Sequence, residues 1–205
     1  MRYEIRVIGS AGQGSLLAAY VLAAAAVQEG YHVTQTATYG AAMRSGTSMG
    51  DVVISNEPID FPKVFNLDAV VIQSQEAYDE MVGGKPVRLD PECGEKDADV
   101  LVNVKDGAIV VFDADLVQCD LDANRYRLIA APIARTATEV VGKRQTMNIV
   151  ALGVLQVALE SSECPISEES FIKAIEKAVP SRFVELNKKA FAEGVKIGKE
   201  ALNRA

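Results

Sequence analysis

The chain is 205 residues long, 49% hydrophobic and 24% charged, the balance of a globular protein whose core needs no disulfide or metal staples. A formal net charge of −7 excludes the broad basic footprint of a nucleic-acid-binding protein. The apolar run Leu16–Val27 falls short of the ~20 residues that span a bilayer. It follows Gly12-Gln13-Gly14 with no short basic lead, so it does not read as a signal peptide and a cytoplasmic location is expected.

The predicted elements run in a legible order. Tyr3–Ile8 reads as a strand stopped by Gly9, followed by a turn and an apolar helix from about Gln13 to Glu29. Gly30 is a natural helix C-cap, and a second strand covers His32–Thr36. Strand, glycine turn, helix and strand make a βαβ unit, whose strands should run parallel. The helix is apolar almost all round, so more than one side of it should be covered.

Further strands are predicted at Gly50–Ser55, Ala69–Ile72, Ala108–Phe112 and Tyr126–Ala130. The continuous apolar runs Val70–Ile72 and Ile109–Phe112 are those of central strands covered on both faces. Helices are predicted at Gln75–Val82, Thr136–Val141, Met147–Leu159, Ser167–Ala178 and Phe183–Leu202. Residues 83–107, rich in Pro, Gly and charge, read as a surface excursion with a small hairpin from Pro86–Leu89 and Val100–Val104. The whole is a single α/β domain over 1–205: a Rossmann-like, mostly parallel sheet flanked by helices, with a helical C-terminal third. In the last helix Ala190, Gly194 and Gly198 fall on one face. Helical glycine costs ~1 kcal/mol relative to alanine, so another backbone is expected to approach there, from the chain's own sheet or from a partner subunit.

Catalytic side chains of the usual kinds are scarce. Cys93, Cys119 and Cys164 form no C-x-x-C pair and are expected as reduced thiols. His32 is the sole histidine, which makes a histidine zinc site or a Ser–His–acid triad hard to build. His32 itself reads as a surface or packing residue.

Two loops carry the candidate site. Gly9-Ser10-Ala11-Gly12-Gln13-Gly14 leaves a strand and opens a helix, where backbone amides and the helix dipole favour an anion. Its spacing is G-x-x-G-x-G rather than the dinucleotide fingerprint, and no Gly-Lys-Ser/Thr follows. The residues alone leave three readings: a tight turn with close helix–sheet packing, contact with a phosphate or pyrophosphate, or a nicotinamide cofactor. The segment Thr34–Ser48 lies at the carboxyl end of the second strand, dense in hydroxyls and free of acids. Within it Tyr39, Arg44, Ser45 and Ser48 are candidates to grip a phosphate or carboxylate, against the alternative of an exposed polar loop. Asp113, Asp115, Asp120 and Asp122 read as a solvated turn, Lys143-Arg144 as plain surface, and Asn148 as a residue orienting the loop before its own helix.

Several motifs occur together: Arg6-Val-Ile-Gly-Ser-Ala-Gly-Gln-Gly14, Thr36-x-x-Tyr-Gly-x-x-x-Arg-x-Gly46, Asp51-Val-Val-Ile-Ser55 and Asn148-Ile-Val-Ala-Leu-Gly153. With Pro58-Ile59-Asp60-Phe61-Pro62, Ser74-x-Glu-Ala-Tyr78 and Asn187-x-x-Ala-Phe-x-x-Gly194, they resemble the gamma subunit of 2-oxoacid:ferredoxin oxidoreductases, most nearly the 2-oxoglutarate type. The chain departs from the usual pattern at Ala11, Ala41, Ala42 and Ser45.

The resemblance implies a place in a larger complex that oxidatively decarboxylates a 2-oxoacid to an acyl-coenzyme A and passes electrons to ferredoxin. It implies alpha and thiamine-binding beta partner subunits, with a ferredoxin-like delta subunit as a further candidate. Thiamine diphosphate and iron–sulfur clusters would then reside in those partners, and this chain would hold no cofactor alone. No nucleic acid or membrane is expected as a partner. The implied role for Gly9, Gly12, Gln13, Gly14, Tyr39, Arg44, Ser45 and Ser48 is contact with coenzyme A in the complex, with no catalytic residue and no metal ligand here. Other members, acting on indolepyruvate or on pyruvate and ketoisovalerate, are the alternative, as is a scaffold subunit that binds nothing.

Overall fold

Alternation along the strands decides how this molecule is layered. The structure, a computed structural model, describes residues 1–39, 46–82 and 103–203. Its strands are β1 (Arg2–Ser10), β2 (His32–Tyr39), β3 (Thr47–Ser55), β4 (Asn66–Ile72), β5 (Asn103–Asp113) and β6 (Arg127–Ala131). They form one six-stranded sheet in the order β2-β3-β1-β4-β5-β6. β1, β4, β5 and β6 pair in parallel, while β3 lies antiparallel between β1 and β2. β1 and β2 therefore run the same way, as the βαβ reading requires, but they are not neighbours.

On one face, Ile5, Val7, Val52, Ile54, Val71, Ile109 and Val111 pack beneath α1 (Ser15–Gln28), α4 (Met147–Leu159), α5 (Glu168–Ala178) and α6 (Val184–Leu202). Their alternates Ile8, Met49, Val53, Val70, Ile72, Val110 and Phe112 point to the other face, towards α2 (Gln75–Val82). Both central runs are thus covered on both sides, which is why they carry no polar alternation. The short α3 (Ile133–Arg135) continues as a π-turn over Thr136–Val141. No helix among the described residues is long and apolar enough to cross a membrane.

The apolar wrap of α1 is explained by its neighbours: β1, β2 and β3 on one side, α4 and α5 on the other. The glycines of α6 meet neither the sheet nor a partner subunit, contrary to both expectations. They meet α4 of the same chain. A Cβ on Gly194 would collide with the Val150 carbonyl oxygen and stand 3.0 Å from the Gly153 Cα; one on Gly198 would stand 3.0 Å from the Val154 Cα. The two helices cross backbone on backbone.

Three other expectations need correction. Asp113 is not solvated: it is fully buried at the end of β5 and accepts N–H groups from Ala134 (2.5 Å), Asp115 (2.9 Å) and Leu116 (3.1 Å). Burial pushes its carboxyl above the usual range against the pull of those three amides. The stretch 103–107 belongs to β5 rather than to an excursion; the rest of that excursion, and most of the small hairpin, lies outside the described residues. Asp120 takes the Tyr78 hydroxyl instead of only water.

Burial pushes the Cys164 thiol and the Tyr3 phenol each up to about 12. Both groups are neutral in the fold at pH 7. Because their folded pKa values lie above the unfolded ones, the stability they contribute is complete below about pH 9 and is lost as pH rises towards 12. The melting temperature is therefore expected to fall across that alkaline window, less steeply in Cys164→Ala. Cys164 should also resist thiol reagents until the chain unfolds. Native-state labelling of Cys164 at the rate of a free thiol would refute its burial.

Candidate functional site

The carboxyl ends of β1, β2, β4, β5 and β6 share one edge of the sheet. At that edge the glycine loop leaves β1 next to β4, where connections depart in opposite directions, the place open α/β sheets use for ligands. The sheet register sets Gly9 opposite Ser48 of β3, and Ser48 opposite Tyr39 of β2. Ala11 N–H donates to the Gly46 carbonyl at 2.8 Å, closing the glycine loop against the start of β3. The two loops singled out in the sequence are therefore adjacent. Arg44 and Ser45 lie outside the described residues, and Tyr39 is placed by its backbone register alone.

The loop is shaped by left-handed glycines. Gly12 has φ +88 and Gly14, which caps α1, has φ +79, conformations that L side chains adopt only with strain. A Cβ on Gly12 would meet no described residue within 4 Å, whereas one on Gly14 would lie 2.6 Å from Asn148 Nδ2. Asn148 donates to the Gly14 carbonyl at 3.0 Å. It thus orients the glycine loop far away in sequence, not the loop before its own helix as expected.

Gln13 turns inward. Its Oε1 accepts Ser10 N–H at 2.7 Å and its Nε2 donates to the Gln73 carbonyl at 3.2 Å. A Cβ on Gly9 would lie 2.6 Å from Gln13 Oε1, which explains a glycine where β1 meets the loop. Gln13 therefore staples the loop. Its side chain is engaged at both ends.

The two faces of the sheet give this edge two electrostatic halves. On the α1 side, the first turn of α1 holds no acidic residue and no side chain among the described residues caps it, which leaves its leading amides and the positive end of its dipole favourable to negative charge. On the α2 side, Ser10 Oγ lies 2.9 Å from Ser74 Oγ and donates to Glu76 Oε2 at 3.0 Å, and the Thr47 hydroxyl donates to Glu80. Glu76 and Glu80, one helical turn apart on α2, make that half unfavourable to anions. The local charges would favour an anion on the α1 side over the α2 side.

Sequence reasoning named Gly9, Gly12, Gln13, Gly14 and Ser48, and the structure assembles them. It missed Gln73 and Glu80; Thr47 entered only as part of the hydroxyl-rich segment, and Ser74 and Glu76 only as letters of a motif. It also missed Arg6 with Asp51, which stand opposite in register on β1 and β3 and pair through two contacts of 2.7 and 2.8 Å. The signal available for that pair was opposite charge at the start of two co-occurring motifs. Among the described residues no three His, Cys, Asp or Glu side chains gather as a metal site.

Residues 4–197 match the family described as pyruvate ferredoxin/flavodoxin oxidoreductase. Among curated relatives, the 2-oxoglutarate synthase subunit KorC of Methanocaldococcus jannaschii is 38% identical over 98% of this chain and 96% of its own length. The gamma subunit of a keto/oxoacid ferredoxin oxidoreductase from Geobacter sulfurreducens superposes with TM-score 0.75 at 33% identity, covering 97% of this chain and 99% of that one. A 2-oxoglutarate:ferredoxin oxidoreductase from Magnetococcus marinus, solved with 2-oxoglutarate, coenzyme A and succinyl-CoA bound, shares the fold with TM-score 0.73 at 23% identity. This chain corresponds to 31% of that longer one.

Proposed function

The chain belongs to the pyruvate ferredoxin/flavodoxin oxidoreductase family as a gamma subunit of a 2-oxoacid:ferredoxin oxidoreductase, and from that premise we propose that its glycine loop contacts coenzyme A in a complex acting on 2-oxoglutarate. The observation that carries the coenzyme A contact is the uncapped, acid-free amino terminus of α1, presented beside Gly12 and Gly14 at the strand edge. A phosphate of coenzyme A suits such a place, because unpaired amides and the helix dipole both favour negative charge. Glu76 and Glu80 bias the phosphate towards α1, and Ser48, with Arg44 and Ser45 from the neighbouring segment, completes the grip. Near full-length similarity to a 2-oxoglutarate synthase subunit supports the substrate.

In this reading the chain supplies binding and shape, and partner subunits supply thiamine diphosphate and iron–sulfur clusters. Bound in those partners, thiamine diphosphate would supply the electron sink for decarboxylation and the clusters would supply the electron-transfer chemistry. A cytoplasmic location accords with that role.

Two measurements test it. The isolated chain is expected to show no 2-oxoacid oxidation with ferredoxin or a dye acceptor, and activity should appear on adding the thiamine-binding partners. Turnover by this polypeptide alone would refute the assignment of chemistry to the partners. In the assembled complex, coenzyme A is expected to slow amide exchange at residues 12–17 while 2-oxoglutarate leaves it unchanged. Protection by 2-oxoglutarate instead would move the loop to the carboxylate end of the active centre.

A further inference from the structure

Gln73 is a polar residue at a position made for an apolar one. It follows Ile72 at the end of β4, is fully buried, and its Oε1 has no hydrogen-bond partner among the described residues. An amide buried with an unpaired acceptor is costly, so its presence calls for a reason in its other contacts. Those contacts converge on the glycine loop.

The Gln73 backbone N–H donates to the Ile8 carbonyl at 3.0 Å, extending the contact between β4 and β1. Its carbonyl accepts Gln13 Nε2 at 3.2 Å, and its own Nε2 donates to Ser15 Oγ at 3.0 Å. Gln13 Oε1 in turn holds Ser10 N–H at 2.7 Å. One residue therefore ties the last turn of the strand, the far side of the loop and the first residue of α1. Ser15 is itself fully buried, so its hydroxyl is not available to water. A Cβ on Gly9 would stand 3.0 Å from both Gln73 Cβ and Ser15 Oγ, so the loop lies directly on this amide.

We infer that Gln73 is a positioning residue that sets the shape of the glycine loop and the aim of the first amides of α1. The inference rests on the proposed reading of that loop as a coenzyme A contact. Gly12 and Gly14 give the loop two pivots with wide backbone freedom, and a loop that must meet a ligand in one shape needs an anchor beneath it. Gln73, reaching Gln13 through its main chain and Ser15 through its side chain, is that anchor. Its side chain is fully buried and acts through the loop.

The test uses Gln73→Met, which keeps length and volume but removes the side-chain amide with its Oε1 and Nε2, and Ser15→Ala, which removes the other end of the Nε2–Ser15 bond. In the full chain, amide exchange at Ser10, Ala11 and Gln13 is expected to quicken by about ten-fold in either variant, with β1–β3 core amides unchanged. The double variant should add little to either single one, because both cut one contact. In the reconstituted complex the KM for coenzyme A should rise roughly five- to ten-fold while that for the 2-oxoacid does not. Unchanged exchange at the loop in both folded variants would overturn the positioning role. Quickened exchange with an unchanged coenzyme A KM would uphold it and overturn the coenzyme A reading instead.

Discussion

Gly194→Leu is expected to destabilise the chain by about 3 kcal/mol or more, at the upper end of the range for overpacked cores. For a domain of this size that corresponds to a fall in melting temperature of roughly 6–12 °C. The cause is specific. The added side chain starts at a Cβ that already collides with the Val150 carbonyl oxygen, and backbone has no rotamer by which to yield. Alanine at the same position should also destabilise, reversing the usual preference for alanine over glycine in helices. Ala192, exposed on the same helix, provides the contrast: there glycine should cost about 1 kcal/mol through propensity alone. A Gly194→Ala protein that melts at or above the parent temperature would refute the backbone contact between α4 and α6.

Arg44→Ala is expected to raise the KM for coenzyme A in the reconstituted complex by roughly ten- to a hundred-fold, the value of a lost charge-assisted hydrogen bond. Arg44 lies outside the described residues, and its assignment follows from its segment, which departs from β2 at Tyr39 and returns at Gly46 beside the glycine loop. The 2-oxoacid KM should stay near the parent value. Gly12→Val provides the structural counterpart. Gly12 sits at φ +88 with no described residue within 4 Å of an added Cβ, so valine strains the turn and adds bulk beside the amides. Gly12→Ala separates the two effects, since it adds strain with little bulk. An unchanged coenzyme A KM in folded Arg44→Ala would remove Arg44 from the site. A rise in the 2-oxoacid KM alone would assign it to the other substrate.

The strands and helices were legible because each is written in short-range chemistry. Val70–Ile72 and Ile109–Phe112 are apolar at every position because two layers cover them, and a covered strand shows the same run wherever it pairs. Gly9, Gly12 and Gly14 were legible because turns that require positive φ or close approach have few alternatives to glycine. The family resemblance reached further, since ordered motifs carry information about partners that periodicity does not.

What the sequence by itself determined, then, is the kind and order of the elements, the glycine turn that opens α1, and the family. Only the tertiary structure decided which strands are neighbours and which distant residues meet. β3 inserts between β1 and β2 because the chain turns back after β2, and Gly50 leaves room for Ala19 of α1 to rest on it. Gly194 finds Gly153, Arg6 finds Asp51, and Gln73 and Asn148 reach the glycine loop from distant parts of the chain. Local propensity acts over a turn or a strand, whereas these contacts join segments that are far apart along the chain. Their energies arise only when those segments are brought together, so no window of sequence contains them.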